Sequence, residues 1–194
     1  MNVLVVHCHP VADSFVASAR DRVLRTLHRT GHVVRVTDLY AEEFDPCFDA
    51  HDRRTHLEPG TVPALERHAA DLRWCDSLVL VYPTWWSGQP AMLKGWIDRV
   101  WGCGVAWDLP EGASVIRPRL ADLRRIAIVT THGSSKFVNA LEGESGKRTA
   151  FRSIRAACSR RARTSWTAIY GLDRADDAKR TAWLDHVERR FNGF

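Results

Sequence analysis

The sequence predicts an α/β domain in which a parallel sheet carries helices on both faces, and three observations lead there. Short apolar runs of strand character alternate from end to end with runs of helical periodicity. The third apolar run, Ser77 to Tyr82, is apolar enough to be a central strand buried on both faces. The 194 residues are sufficient to bury a core without disulfide or metal support, so one domain over residues 1–194 is expected.

Val3 to His7 opens the series as a strand, and Phe15, Ala19, Val23 and Leu27 then recur at helical spacing through Ser14 to Thr30. Gly31 reads as the helix stop, followed by a second strand from Val33 to Thr37. A polar loop from Asp38 to Pro63 leads to a helix through Leu65, Ala69 and Leu72, and from there to the third strand. Pro90 stands where a helix start tolerates a missing N–H, and the helix continues from Ala91 to Val100. A Gly- and Pro-bearing excursion over 102–118 precedes a fourth strand, Arg125 to Thr131. A helix from Lys147 to Ala157, a short fifth strand from Trp166 to Tyr170, and an amphipathic helix from Ala175 to Phe191 complete five strands and five helices.

The net charge of +5 and pI near 9.2 raise the question of a nucleic-acid partner. Acidic and basic residues are interspersed, however, until the run Lys147, Arg148, Arg152, Arg155, Arg160, Arg161 and Arg163, and no aromatic-basic pattern of a nucleic-acid module is present. No nucleic-acid partner is expected; the run reads as a solvated or subunit-facing helix, or as an attractor of anionic substrates or a phosphorylated nicotinamide. The five cysteines, at 8, 47, 75, 103 and 158, are odd in number and lack the C-x-x-C spacing of a zinc or redox site, so they read as reduced thiols. The opening apolar run is too short for a signal sequence, and no stretch approaches the roughly 18 apolar residues of a membrane span. A soluble cytoplasmic protein without membrane insertion is the expectation.

Right-handed crossovers make such a chain either a Rossmann-type or a flavodoxin-type sheet, and ligands then sit beyond the carboxyl ends of the strands. Beyond the first strand, His7-Cys8-His9-Pro10-Val11-Ala12-Asp13-Ser14-Phe15 contains no glycine, so neither a dinucleotide fingerprint nor a Walker loop is present. It offers instead a helix N-terminus at Ser14, where free N–H groups and a hydroxyl can receive a phosphate, with His9 beside it. Capping alone would account for Asp13 or Ser14, but not for His9. His7 and His9 lack the further ligands of a metal site, and no metal is expected.

Beyond the third strand, Tyr82-Pro83-Thr84-Trp85-Trp86-Ser87-Gly88 places two adjacent tryptophans where a core would rarely use them. Their indoles suit a flat heteroaromatic ring whose polar edge the amides from Thr84 to Ser87 could reach, although one of the pair is expected in core packing or a subunit contact. Beyond the fourth strand, Thr130-Thr131-His132-Gly133-Ser134-Ser135 is small and rich in donors, able to face a developing negative charge. The three loops share one edge of the predicted sheet.

Several of these segments resemble the flavodoxin-like NAD(P)H:quinone oxidoreductases, the family of the DT-diaphorases and the bacterial modulators of drug activity. The resemblance runs nearly end to end. It is carried by His9-Pro10 with Ser14-Phe15, by Asp38-Leu39-Tyr40-Ala41 through Phe44-Asp45-Pro46, by Tyr82-Pro83 through Trp86, Gly88 and Pro90, by Leu93-Lys94-Gly95-Trp96 with Asp98-Arg99-Val100, and by Thr130-Thr131-His132-Gly133. It implies a flavodoxin-like sheet of strand order 2-1-3-4-5. It implies a flavin, FAD or FMN, whose phosphates meet His9, Ser14 and Phe15, whose ring is lined by Pro83, Thr84, Trp85, Trp86 and Ser87, and whose pyrimidine end meets Thr130, Thr131, His132 and Gly133. It further implies NAD(P)H as electron donor, a small-molecule acceptor such as a quinone, two-electron ping-pong transfer and a homodimer. The alternative is a regulatory flavoprotein docked on a partner such as a transporter, with incidental reductase activity.

The chain departs from the family at Val16, where an asparagine often follows the Ser-Phe pair, and in the loop after the fourth strand. Diaphorases place a tyrosine and a histidine in that loop to manage protons; here the tyrosines fall at 40, 82 and 170, and the loop offers His132, Lys136, Asn139, Glu142 and Glu144. His132, titrating near neutral pH, is the candidate catalytic residue, with a structural hydrogen-bonding role as the competing reading.

Overall fold

The computed structural model describes residues 1–194. In chain order it contains β1 (Asn2–His7), α1 (Phe15–Arg29), β2 (Val33–Asp38), α2 (Ala50–Thr55), α3 (Glu66–Trp74), β3 (Ser77–Pro83), α4 (Ala91–Val100), β4 (Trp107–Asp108), β5 (Arg117–Pro118), β6 (Arg125–His132), α5 (Lys136–Leu141), α6 (Ser145–Arg148), β7 (Arg163–Tyr170) and α7 (Asp177–Asn192). Five strands form one sheet of order β2-β1-β3-β6-β7, parallel throughout. Counting the long strands alone, that is the expected 2-1-3-4-5. The short strands β4 and β5 pair antiparallel within the excursion. No helix is long and apolar enough to cross a membrane.

Every residue of β3 is buried, because its alternating side chains serve two cores. Leu78, Leu80 and Tyr82 join Leu72 of α3 and Leu93, Trp96 and Val100 of α4 on one face. Val79 and Val81 meet Val23 and Leu27 of α1 and Trp183, Val187 and Phe191 of α7 on the other. Helix α1 begins at Ser14, whose Oγ accepts the Ala17 N–H at 3.1 Å, and ends at Thr30 with Gly31 in the left-handed region just beyond.

Three segments differ from the sequence reading. The polar loop contains α2, a helix without an apolar stripe, closed by a capping box in which Asp49 accepts the Asp52 N–H at 2.8 Å. Its one buried side chain, Asp52, is held by Arg99 Nε at 2.8 Å. The helix expected from Lys147 to Ala157 is present but not regular: the chain is helical through residues 145–156 with a π-helical stretch, Thr149–Ile154, inside it, while α5 upstream carries Phe137 and Leu141 outward. The fifth long strand starts at Arg163 rather than Trp166, because its polar first residues pair with the start of β6 at an edge where burial is not required.

The run Leu93-Lys94-Gly95-Trp96 of the resemblance serves packing. A Cβ on Gly95 would lie 2.3 Å from the Pro46 carbonyl oxygen, so the loop from Phe44 to Pro46 rests directly on the α4 backbone. Arg99, one turn further, donates to the Asp45 carbonyl at 2.6 Å. Since the clash is with backbone, Gly95→Ala is expected to cost about 2 kcal/mol or more, read as a lower urea midpoint with an unchanged slope; an unaltered midpoint would contradict the contact.

Candidate active site

The register of the central strands sets the site. His7 pairs with Val81, Pro83 with Thr131, and the ladder runs one residue further, Thr84 N–H donating to the Thr131 carbonyl at 2.8 Å. The carboxyl ends of β3 and β6 therefore lie within one residue of each other and that of β1 two residues short of β3, and their loops meet over a cavity of about 400 Å³. Its walls include His9, Phe15, Pro83, Thr84, Trp85, Thr131 and Gly133 from the predicted set, with Val16, Leu172 and Asp173 in addition.

Each wall has a local cause. His9 turns back on its own loop, Nδ1 accepting the Val11 N–H at 3.0 Å, and its ring lies 6.5 Å from that of Trp85. Phe15 packs on Trp183, ring centroids 5.5 Å apart. Ser14 spends its hydroxyl on capping α1, leaving other N–H groups of the first turn free, with no acidic residue in that turn to compensate them. Beneath this loop His7 Nδ1 shares a hydrogen bond with Asp38 Oδ2 at 2.9 Å, and Arg20 reaches the same oxygen at 3.2 Å.

The segment after β3 closes as a tight turn in which Trp85 and Gly88 exchange N–H···O bonds of 3.2 and 3.0 Å. Its central residues, Trp86 and Ser87, have φ of 49° and 58°, positions that such a turn normally gives to asparagine and glycine. The strain is held from one side: Ser87 donates to Glu142, and its carbonyl accepts the Ser145 hydroxyl at 2.6 Å and the Gly146 N–H at 2.9 Å. Trp86 is thereby fully exposed (102%) and Trp85 about half so (44%). Strained, over-determined backbone of this kind concentrates at ligand sites.

Thr130 and His132 follow Ile126 and Ile128 on the α4 face of β6, whereas Thr131 looks toward the α1 side. His132 is the last residue of β6 rather than part of a loop, is 6% exposed, and stacks on Tyr170 at the end of β7 with centroids 4.6 Å apart and planes at 18°. It reaches the cavity only through Thr84, whose Oγ1 lies 3.4 Å from His132 Nε2 and 2.9 Å from Thr130 Oγ1. Burial pushes the His132 pKa below its ordinary value; Asn139, Glu144 and Glu142 oppose the shift without cancelling it. The Asn139 amide N–H groups donate to Ser134 Oγ and the Ser135 carbonyl, which leaves its oxygen as the group nearest to answer the His132 ring.

Asp173 and Leu172 escaped the sequence reading although they follow the fifth strand of the same sheet, where the strand-end rule points equally well. Asp173 explains Gly133: a Cβ there would stand 2.5 Å from Asp173 Oδ2. Tyr170, distant from His132 in sequence, is brought to it by the β6–β7 pairing, in which the two residues are partners.

The open sheet order and a strand-end cavity define an α/β protein of the switch-point-binding class. Residues 1–189 match the family model described as flavodoxin-like fold, and the chain belongs to that family. It is similar over 100% of both chains to the crystal structure of Smu.1420 from Streptococcus mutans, with TM-score 0.87 and 28% identity. It is 33% identical over 117 residues to an uncharacterized NAD(P)H oxidoreductase of Haemophilus influenzae, covering 59% of this chain and 57% of that one. It is 31% identical over 153 residues to human ribosyldihydronicotinamide dehydrogenase [quinone], covering 69% of this chain and 64% of the relative. The matched regions thus span between about half and two thirds of the curated relatives' lengths.

The histidines predict a pH response. Burial holds His7, His68 and His132 below the 6.5 of a free imidazole, so below that pH the unfolded chain takes up protons that the folded chain refuses. Stability present above pH 6.5 is lost as the pH falls through it. Urea unfolding at about pH 7.5 and pH 5.5 should show the decline, and His132→Gln should lessen it; equal stability at both values would contradict the burial of these rings.

Proposed function

We propose that this chain is a flavin-dependent NAD(P)H oxidoreductase that reduces quinones or similar electrophilic small molecules by two-electron ping-pong transfer. The observation that carries the reading is the strained turn bearing the exposed Trp86 at the rim of the strand-end cavity. The names of the Haemophilus and human relatives give it further support. A bound flavin, FAD or FMN, would supply the chemistry by taking a hydride equivalent from NAD(P)H and delivering two electrons to the acceptor.

The residues suit such a group. The first turn of α1, with His9, Ser14 and Phe15 around it, provides uncompensated N–H donors for a phosphate. Pro83, Thr84, Trp85, Trp86 and Ser87 offer an aromatic and amide-bearing wall for a planar ring, and Thr131 with Gly133 leaves a small wall opposite. Thr130 and His132 act from beneath through Thr84, whose Oγ1 contacts both of them and which itself lines the cavity. In this reading His132, neutral at pH 7 because it is buried, is a positioning residue that orients the Thr84 hydroxyl as a proton relay to an acceptor oxygen.

A homodimer belongs to the same reading. Trp86 and, on α5, Phe137, Val138 and Leu141 are exposed, and Glu142, just past α5, bonds Ser87, so these apolar groups lie about one turn. A second copy would cover them and close the rim. The cysteine usage supports a cytoplasmic location for the enzyme.

Anaerobic mixing with NADH and with NADPH, followed by reoxidation with a quinone panel, tests the reading. Bleaching of the flavin absorbance by one donor and its return with a quinone are expected; no bleaching by either donor would overturn it. Trp86→Ala should weaken flavin retention by roughly tenfold, the scale of one lost aromatic contact. His132→Ala and Thr84→Val should slow acceptor reduction alike and flatten its pH profile while flavin retention is kept; unequal effects would remove the relay through Thr84.

A further inference from the structure

The basic run of the sequence ends at Arg163, and this residue lies at the opposite end of the sheet from the cavity above, in a second hollow of about 270 Å³. Arg163 begins β7 and is the register partner of Arg125, which begins β6. Arg190, in the last turn of α7, lines the hollow as well. Like charges opposed on neighbouring strands repel, and here a third guanidinium group joins them.

No acidic side chain lines the hollow. Two of the arginines on α1 are paired, Arg22 with Asp185 at 2.8 Å and Glu188 at 3.0 Å, and Arg29 with Glu188 at 2.9 Å, whereas Arg25, outside the hollow, is not. Arg125, Arg163 and Arg190 form no ion pair, and the Arg125 guanidinium lies instead over the Phe194 ring, 5.4 Å from its centroid. Asp76 is close in the chain fold, since its carbonyl accepts the Arg125 N–H at 3.3 Å, but its carboxylate accepts the Asn2 N–H at 3.1 Å and the Ser77 hydroxyl at 2.9 Å.

We propose that this hollow is an anion site for a compact ligand of the phosphate class, of the size and charge of a diphosphate. Guanidinium forks bind tetrahedral oxyanions through paired N–H donors, and the hydroxyls of Ser165 and Thr167 line the same space. The volume of about 270 Å³ accommodates a compact ligand such as a diphosphate. The site is independent of the flavin reading, being built from the amino ends of β6 and β7.

Calorimetric titration of the full-length chain with inorganic diphosphate, at fixed ionic strength and both with and without saturating FMN, tests the proposal. One saturable event that persists with FMN present is expected. Arg163→Gln and Arg190→Gln should each weaken it roughly tenfold, as removal of one charge-assisted contact does, while Arg25→Gln on α1 leaves it unchanged. Heats that are abolished by FMN, equal in all variants, or exceeded in affinity by citrate would overturn it. Arg125→Lys, which keeps the charge and loses the fork, should weaken diphosphate binding more than it changes the urea midpoint; the reverse would make these arginines structural.

Discussion

Strand β3 is hydrogen-bonded to β1 on one edge and β6 on the other while both of its faces are buried, and the rest of the molecule takes its geometry from that arrangement. A slip of one residue would turn Leu78, Leu80 and Tyr82 out of one core and Val79 and Val81 out of the other, so the register is fixed by burial on two sides at once. Fixing the register brings the strand ends to within two residues of one another. The loop with His9 and Ser14, the turn with Trp85 and Trp86, and the end of β6 then have no choice but to meet.

The residues that carry the family resemblance divide into two jobs. Gly95 and Arg99 hold the segment around Asp45 and Pro46 against α4, and this contact never touches the cavity. The turn at Trp86 and Ser87 does the opposite: it keeps two side-chain-bearing residues in left-handed backbone, at a cost of about 1 kcal/mol or more each, and Glu142, Ser145 and Gly146 hold it there. Rigid packing on α4 and stored strain in the turn that precedes it suit a site shaped before a ligand arrives.

The strands themselves were legible because each central one is a short apolar run, and apolar runs are what a doubly covered sheet demands; their order came from the family resemblance. Helix α2 was not legible, since Asp52 is its single buried side chain and an ion pair with Arg99 replaces the apolar stripe. At the site, the three loops were found by the strand-end rule, but the extension of β6 by one residue, to His132, carried that ring to the α4 face and under Thr84. Its stacking on Tyr170 depends on pairing between strands far apart in sequence, which periodicity does not encode. Asp173 was missed for the same reason, its contact with Gly133 arising only in three dimensions.

Function and charge are thus separated along the strands. The carboxyl ends present aromatic rings, free amides and small residues, while the amino ends of β6 and β7 gather unpaired arginines. The central claim is that the carboxyl-end cavity is the flavin site, and the crystal structure of the chain grown with FMN tests it most directly. The account predicts the ring beside Pro83 to Trp86 and the phosphate at the first turn of α1. A flavin located anywhere else, or its absence from that cavity at saturating concentration, would contradict it.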